Sequence, residues 1–317
     1  MDNQLRYNEP WILQRADPYV CKMHDGWYYF LASVPKYDKI IIRRYKTLGG
    51  LADAEEKTIW TKHESGPMSK NIWAPELHYL FGKWYIYFAG GEAEAEWNIR
   101  PYVLECQGQD PWNDEWIEKG KLIRAKDDEF SFEAFSLDTH VFENKGKWYC
   151  VWAEKVGVGK QISNLYIAEM ENGYTLKTVQ VLLTTPDYDW ERYGYWVNEG
   201  PGTIKHGDKI FLTYSASDTG IHYCVGLLTA SVDSDLLDPK SWEKSRMPVL
   251  SSNEELKIYG PGHNSFTVDE DGNDIIVYHA RTESEIVGDP LNNPNRHAML
   301  MKVIWDEEGN PVFSYQQ

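Results

Sequence analysis

The amino-acid sequence predicts an all-β protein folded as a five-bladed β-propeller, a single domain over residues 1–317. Three observations predict it. A turn glycine followed by an aromatic or aliphatic run recurs five times: HDGWYYFLAS around Gly26, LFGKWYIYFAG around Gly82, NKGKWYCVWAE around Gly146, KHGDKIFLTYS around Gly207 and EDGNDIIVYHA around Gly272. These glycines stand 56 to 65 residues apart. No long helical pattern interrupts the series. A glycine turn beside a run of β-formers is a hairpin signal. A supersecondary unit repeated at near-constant spacing signals radial repetition rather than a sandwich.

Each run is flanked by further strand-like segments. DPYVCKM precedes the first run and KIIIRRY follows it; APELHYL and RPYVLEC flank the second. LDTHVFE and NLYIAEM flank the third, GPGTIKH and YCVGLLTA the fourth, HNSFTVD and HAMLMKVIW the fifth. Between the units, 48–58 and 231–246 read as short helices or loops. Segments 91–100, 155–163 and 283–296 read as loops that shape a pocket. Cys21, Cys106, Cys150 and Cys224 show neither CxxC nor metal-ligand spacing, so they read as free thiols, mostly buried.

Charge narrows the partners. With 49 acidic and 32 basic residues the formal net charge is -17, which repels nucleic acid and anionic membrane and tolerates a neutral ligand. The 14 Trp and 21 Tyr supply flat apolar faces with polar tips, suited to strand packing and to sugar rings. MDNQLRYNEPW shows no basic and apolar leader pattern, and no stretch is long enough for a membrane span, so a cytoplasmic protein is expected.

In a propeller the first strand of each blade lines the central axis. Here those segments carry Asp17, Glu76, Asp138, Glu199 and His263, six to nine residues ahead of the blade glycine. Singly, most have a plain structural reading. Asp17 before a proline opens turns, Asp138 caps them, and Glu76 holds backbone amides beside Pro75. A lone His263 is commonly a hydrogen-bonded core histidine, whereas Glu199 before Gly-Pro-Gly is a poor packing residue. Five turn residues have no need to recur at matching positions, so the joint pattern points to one shared pocket. Carboxylates crowded there are pushed to different pKa values, which is what glycosidic cleavage requires.

The segments ADPYV (16–20), NIWAPEL (71–77), SLDTHVF (136–142), NEGPGTI (198–204) and GPGHNSF (260–266), one per blade and in this order, resemble glycoside hydrolase family 43 across nearly the whole chain. The resemblance implies Asp17 as general base, Glu199 as general acid and Asp138 as the carboxylate that tunes the acid, with inversion of configuration. It implies Trp73 as a sugar-subsite wall and Arg296, with Arg281 as a second candidate, as the arginine reaching the site from the last blade. Glu76 and His263 join the substrate-binding candidates. His263 also resembles a channel histidine that meets a metal, usually calcium, through water, a structural ion not needed for the chemistry. An exo-acting α-L-arabinofuranosidase on arabino-oligosaccharides is the favoured member, with the α-1,5 linkage as the candidate. β-Xylosidase and endo-arabinanase are the alternatives within the family, and a carbohydrate-binding or scaffold propeller the alternatives outside it.

Overall fold

The structure, a computed structural model, describes residues 5–157 and 161–315. All five marked glycines adopt positive φ, between 59° and 83°, and each closes a hairpin. The paired strands are Ala16–Lys22 with Tyr28–Ser33, Lys70–Leu80 with Lys83–Glu92, Ser136–Asn144 with Lys147–Val156, Trp196–His206 with Lys209–Ala216, and Tyr259–Val268 with Asp274–Arg281. A third strand follows antiparallel in each unit: Lys39–Tyr45, Ala95–Cys106, Ile162–Asn172, Cys224–Ser231 and His297–Trp305. Shorter strands complete the edges. In the last unit Pro10–Ile12, from the start of the chain, pairs with His297–Trp305.

These strands form four sheets, of four, four, nine and five strands. The nine-stranded sheet joins the third and fourth units through a short parallel pairing, Ile162 with Trp196 and Ser163 with Val197. Among the described residues there is no α-helix, and no helix is long and apolar enough to cross a membrane.

Side-chain alternation explains how the units stack. In Tyr28–Ser33 every residue is buried, because successive side chains leave opposite faces of the sheet. Tyr28 and Phe30 pack with Ile275, Val277 and Leu300 of the fifth unit. Tyr29 and Leu31 pack with Leu77, Trp84 and Ile86 of the second. The same division gives a core between the second and third units (Tyr87, Val103, Cys150, Trp152), the third and fourth (Val151, Ile167, Ile210, Leu212), and the fourth and fifth (Phe211, Val225, Ile276, Met299). The first strands neighbour one another in order, and the fifth returns to the first.

Every first strand is interrupted at a corresponding place, and those of the second and fifth units carry one further break, between Lys70 and Trp73 and between Tyr259 and Gly262. The register breaks between Ala16 and Tyr19, Trp73 and Glu76, Leu137 and His140, Glu199 and Gly202, and Gly262 and Ser265. Within each break one residue takes a left-handed φ: Asp17 at 52°, Ala74 at 48°, Asp138 at 56°, Gly200 at 53° and His263 at 44°. A bulge of this kind re-aims a side chain. The left-handed backbone is strained for a non-glycine residue and is typical of functional sites.

The intervening segments are corrected in detail. Within 48–58 there is one 3₁₀ turn, Gly49–Ala52, before the strand Lys57–Thr61. Within 231–246 there is the 3₁₀ turn Pro239–Ser241, capped by Asp238, and the strand Glu243–Lys244. Segment 91–100 belongs to a hairpin, with Lys83–Glu92 and Ala95–Cys106 reaching into it, so it is largely strand and not loop. Segment 283–296 is irregular. Of the expected loop 155–163, residues 158–160 lie outside the described residues. All four cysteines are free thiols, Cys21 half-buried and the other three buried.

Candidate active site

The bulges bring three carboxylates and a histidine together. His263 Nδ1 lies 3.3 Å from Asp17 Oδ1 and 3.8 Å from Asp138 Oδ2. The Gly200 N–H, next to Glu199, donates to Asp138 Oδ2 at 3.0 Å. Asp17, Asp138 and His263 are buried, while Glu199 is partly open. Asp17, Asp138 and His263 sit at the left-handed position of their bulges, but in the second and fourth units that position is held by Ala74 and Gly200. Glu199 therefore projects from one residue earlier and Glu76 from two later, so the five polar residues are not strictly equivalent.

Asp17 is held on every side. Ser33 donates its hydroxyl to Asp17 Oδ2 at 2.5 Å and accepts the Ala74 N–H at 2.8 Å. Arg296 Nη1 stands 3.5 Å from Asp17 Oδ1. The Asp17 N–H donates to His279 Nδ1 at 3.0 Å, which places the proton of that imidazole on Nε2. Burial alone raises the Asp17 pKa, but His263 and Arg296 outweigh it and hold the carboxyl well below the ordinary range. Burial also keeps His279 neutral, its pKa pulled down to about 3.

The other two carboxyls are pushed the opposite way. Burial raises Asp138, opposed by His263 and reinforced by Glu199 and Asp17. Burial raises Glu199, opposed by the Tyr223 hydroxyl, which donates to Glu199 Oε1 at 2.8 Å. The two titrate as a coupled pair that retains a proton when Asp17 has lost its own. His263 is depressed by burial but lifted further by Asp138, Asp17, Glu199 and Glu76, ending above its ordinary value. The site thus holds one firmly ionised carboxylate beside a proton-retaining carboxyl pair.

The remaining sequence candidates divide. Arg296 reaches Asp17 and donates to the Tyr37 hydroxyl at 2.7 Å. Arg281 is turned away from the carboxylates, donating to Asn293 Oδ1 at 2.7 Å and to the Pro290 carbonyl at 2.6 Å, so it pins the 283–296 segment. Trp73 packs edge-on to Tyr37 at 5.7 Å and tilts against Trp97 at 6.4 Å. Trp97 is 56% exposed, an aromatic face at the rim. Glu76 points along the first strands, its Oε2 2.8 Å from both His78 Nε2 and His140 Nδ1. Among the described residues this trio is the group of metal-capable side chains whose ligand atoms converge. The single ring nitrogen of His263 that faces acidic oxygens is shared between Asp17 and Asp138.

Sequence reading missed Ser33, Tyr37, Trp97, Tyr223 and His279. His279 lies two residues before Arg281 in YHAR, and Tyr223 opens the quoted YCVGLLTA run, so both stood in segments already singled out. Ser33 carried no signal until the register placed it opposite Ala16.

The chain belongs to glycosyl hydrolases family 43, which it matches over residues 7–311. Among its relatives, the extracellular exo-alpha-(1->5)-L-arabinofuranosidase of Streptomyces avermitilis is 48% identical over 97% of this chain and 63% of that protein. The enzyme of the same name from Streptomyces chartreusis is 50% identical over 90% of this chain and 85% of that one. The chain therefore spans under two thirds of the first relative's length. The crystal structure of an α-L-arabinofuranosidase from Lactobacillus brevis superposes with a TM-score of 0.90, at 51% identity over 97% of this chain and 96% of that one. The cytoplasmic expectation is corrected by these relatives, since both Streptomyces enzymes are named as extracellular.

Proposed function

We propose that this chain is an inverting exo-α-L-arabinofuranosidase that removes terminal arabinofuranosyl residues from α-1,5-linked arabino-oligosaccharides. The carrying observation is the division of charge at the site: Asp17 held ionised by His263 and Arg296, beside the carboxyl pair Asp138 and Glu199 raised by burial. Family membership and the names of relatives at 48% and 50% identity support the sugar and the linkage.

Glu199 gives its proton to the glycosidic oxygen, the Glu199 O–H bond breaking as the C1–O bond breaks. Asp17 takes a proton from a water that attacks C1 from the opposite face. Asp138, tied to Gly200 and His263, keeps the proton on the pair and fixes the backbone that carries Glu199. Trp73 and Trp97 form the wall of the sugar subsite. The mechanism requires carboxyl groups about 6.5–9.5 Å apart. It uses side chains alone, and no step passes through a metal.

The architecture we propose is a five-bladed propeller in one domain, the nine-stranded sheet being two blades joined at one end. The five inter-unit cores, the returning order of first strands and the five matched bulges support it.

The test is a panel of aryl α-L-arabinofuranoside, aryl β-D-xyloside and linear arabino-oligosaccharides, followed by proton NMR and chain-length analysis. We expect arabinose released one unit at a time, with the inverted anomer first. Xyloside cleavage alone, or retention of configuration, overturns the reading.

A further inference from the structure

One layer along the first strands from the carboxylate cluster lies a second polar group that the proposed reaction does not use. Two residues past the bulge residue of the second and third units come Glu76 and His140, with His78 beyond Glu76 on the same strand. All three are buried. Glu76 Oε2 lies 2.8 Å from both His78 Nε2 and His140 Nδ1, and the three ligand atoms all lie within 4.8 Å of one another.

The far sides of the two rings are also engaged. His140 Nε2 stands 2.9 Å from the Thr203 hydroxyl, and His78 Nδ1 stands 3.4 Å from the Tyr19 hydroxyl. A histidine that ligates a metal through one nitrogen characteristically hydrogen-bonds through the other, which fixes its tautomer and orientation. Here both rings are oriented so that their remaining nitrogens converge on one carboxylate. The four strands supplying these groups come from the first four units, so the trio is braced from several directions.

We propose that Glu76, His78 and His140 form a binding site for a divalent transition-metal ion, zinc being the best match, that ties the first strands together beneath the carboxylate cluster. Two imidazoles and a carboxylate are borderline-soft donors suited to zinc, whereas calcium takes six to eight oxygens. Zinc–nitrogen and zinc–oxygen bonds of about 2.0–2.2 Å set ligand atoms roughly 3.3 Å apart in a tetrahedral arrangement. The 2.8 Å contacts would open by about half an ångström to admit the ion. This differs from a water-linked calcium at His263 in both position and donor chemistry, and it does not depend on the hydrolase reading.

The rival is a metal-free network in which both rings donate N–H to Glu76 and accept the two hydroxyl protons. Isothermal titration of the chelator-treated protein with zinc chloride, with calcium chloride as a parallel arm, separates the two. The site predicts one equivalent of zinc bound at sub-micromolar Kd, a rise in Tm on loading, and affinity at least about 100-fold weaker in Glu76→Gln and His140→Gln. X-ray absorption of the zinc-loaded wild type, which needs no variant to fold, should show two imidazole scatterers. No zinc uptake by the wild type overturns the proposal. So do uptake unchanged in both variants, binding of calcium but not zinc, or fewer than two imidazole ligands.

Discussion

At the scale of single residues, the site separates one ionised carboxylate from a proton-retaining pair, and each role has its own test. Glu199→Gln should lower kcat/KM on arabino-oligosaccharides by about 10²–10⁴-fold, the range of general acid catalysis, and far less on aryl glycosides whose leaving groups need no proton. Equal losses on both would remove the acid role. Two further substitutions should move the alkaline limb of the pH profile in opposite directions. Asp138→Asn removes the carboxyl with which Glu199 shares a retained proton, so the limb should shift to lower pH. Tyr223→Phe removes the hydroxyl that donates to Glu199 at 2.8 Å and favours its ionised form, so the limb should shift to higher pH. His263, whose pKa is also raised, faces the same pair, and its own titration sets the floor against which both shifts are read. The acidic residues of this site were legible in the sequence because they come from segments that recur in order. Ser33, Tyr37 and His279 were not, because Ser33 meets Asp17 only through strand pairing, His279 only through packing between units, and Tyr37 joins the site through Arg296 and Trp73.

At the scale of the strand, five bulges do the positioning. Four carry a side chain or neighbour that faces the site, and Gly200 shows why glycine is needed in the fourth. Its φ is 53°, and a Cβ there would stand 3.1 Å from His263 Cγ and 3.3 Å from His263 Cα. Gly200→Ala should therefore destabilise the fold by roughly 1–2 kcal/mol from the left-handed backbone. It should also lower kcat by displacing His263 and the N–H that Gly200 donates to Asp138. Thermal melts with parallel kinetics check this, and a variant of unchanged stability and turnover would show that the bulge is not under constraint. The turn glycines exposed the hairpins to sequence reading, since a positive φ leaves a mark in residue choice. The bulges left a fainter one, because Asp17, Asp138 and His263 are of types only somewhat enriched at positive φ and Ala74 is not enriched at all, so Gly200 alone marks the position as a turn glycine does. That is why Glu76 and Glu199 were aligned with Asp17 although their strands place them at neighbouring positions. Segment 91–100, polar and acidic, read as loop for the related reason that a hairpin extended towards solvent carries no apolar face to betray it.

At the scale of the whole molecule, the units are held by the cores between them, and the last unit borrows its outer strand from the start of the chain. Ile12 is buried there and Trp11 packs edge-on against Phe30 at 5.8 Å. Burying one such side chain contributes about 1.5–3 kcal/mol, so deleting residues 1–13 should lower Tm by on the order of 5 °C. The loss should appear as faster amide exchange along His297–Trp305. Acid stability is a second property of the whole fold. His279 accepts the Asp17 N–H through Nδ1, so it is neutral when folded, and burial sets its pKa at about 3 against about 6.5 in the unfolded chain. Between those values the unfolded state binds the extra proton. The contribution of this histidine to stability is thus fully present above about pH 6.5 and is lost as pH falls towards 3, at up to about 1.4 kcal/mol per unit. Asp17, whose pKa is depressed when folded, adds a loss of the same sign that begins only below about pH 4. Across denaturant titrations from pH 7 to 4.5 Asp17 stays ionised, while His78, His263, His297, Asp138 and Glu199 also contribute to the slope, so the share of His279 is read as the difference between wild type and variant. His279→Gln, which keeps an acceptor for the Asp17 N–H and cannot titrate, should flatten the slope there. A slope identical to that of the wild type would mean that the imidazole is protonated in the folded protein and that its tautomer is not the one the Asp17 contact requires.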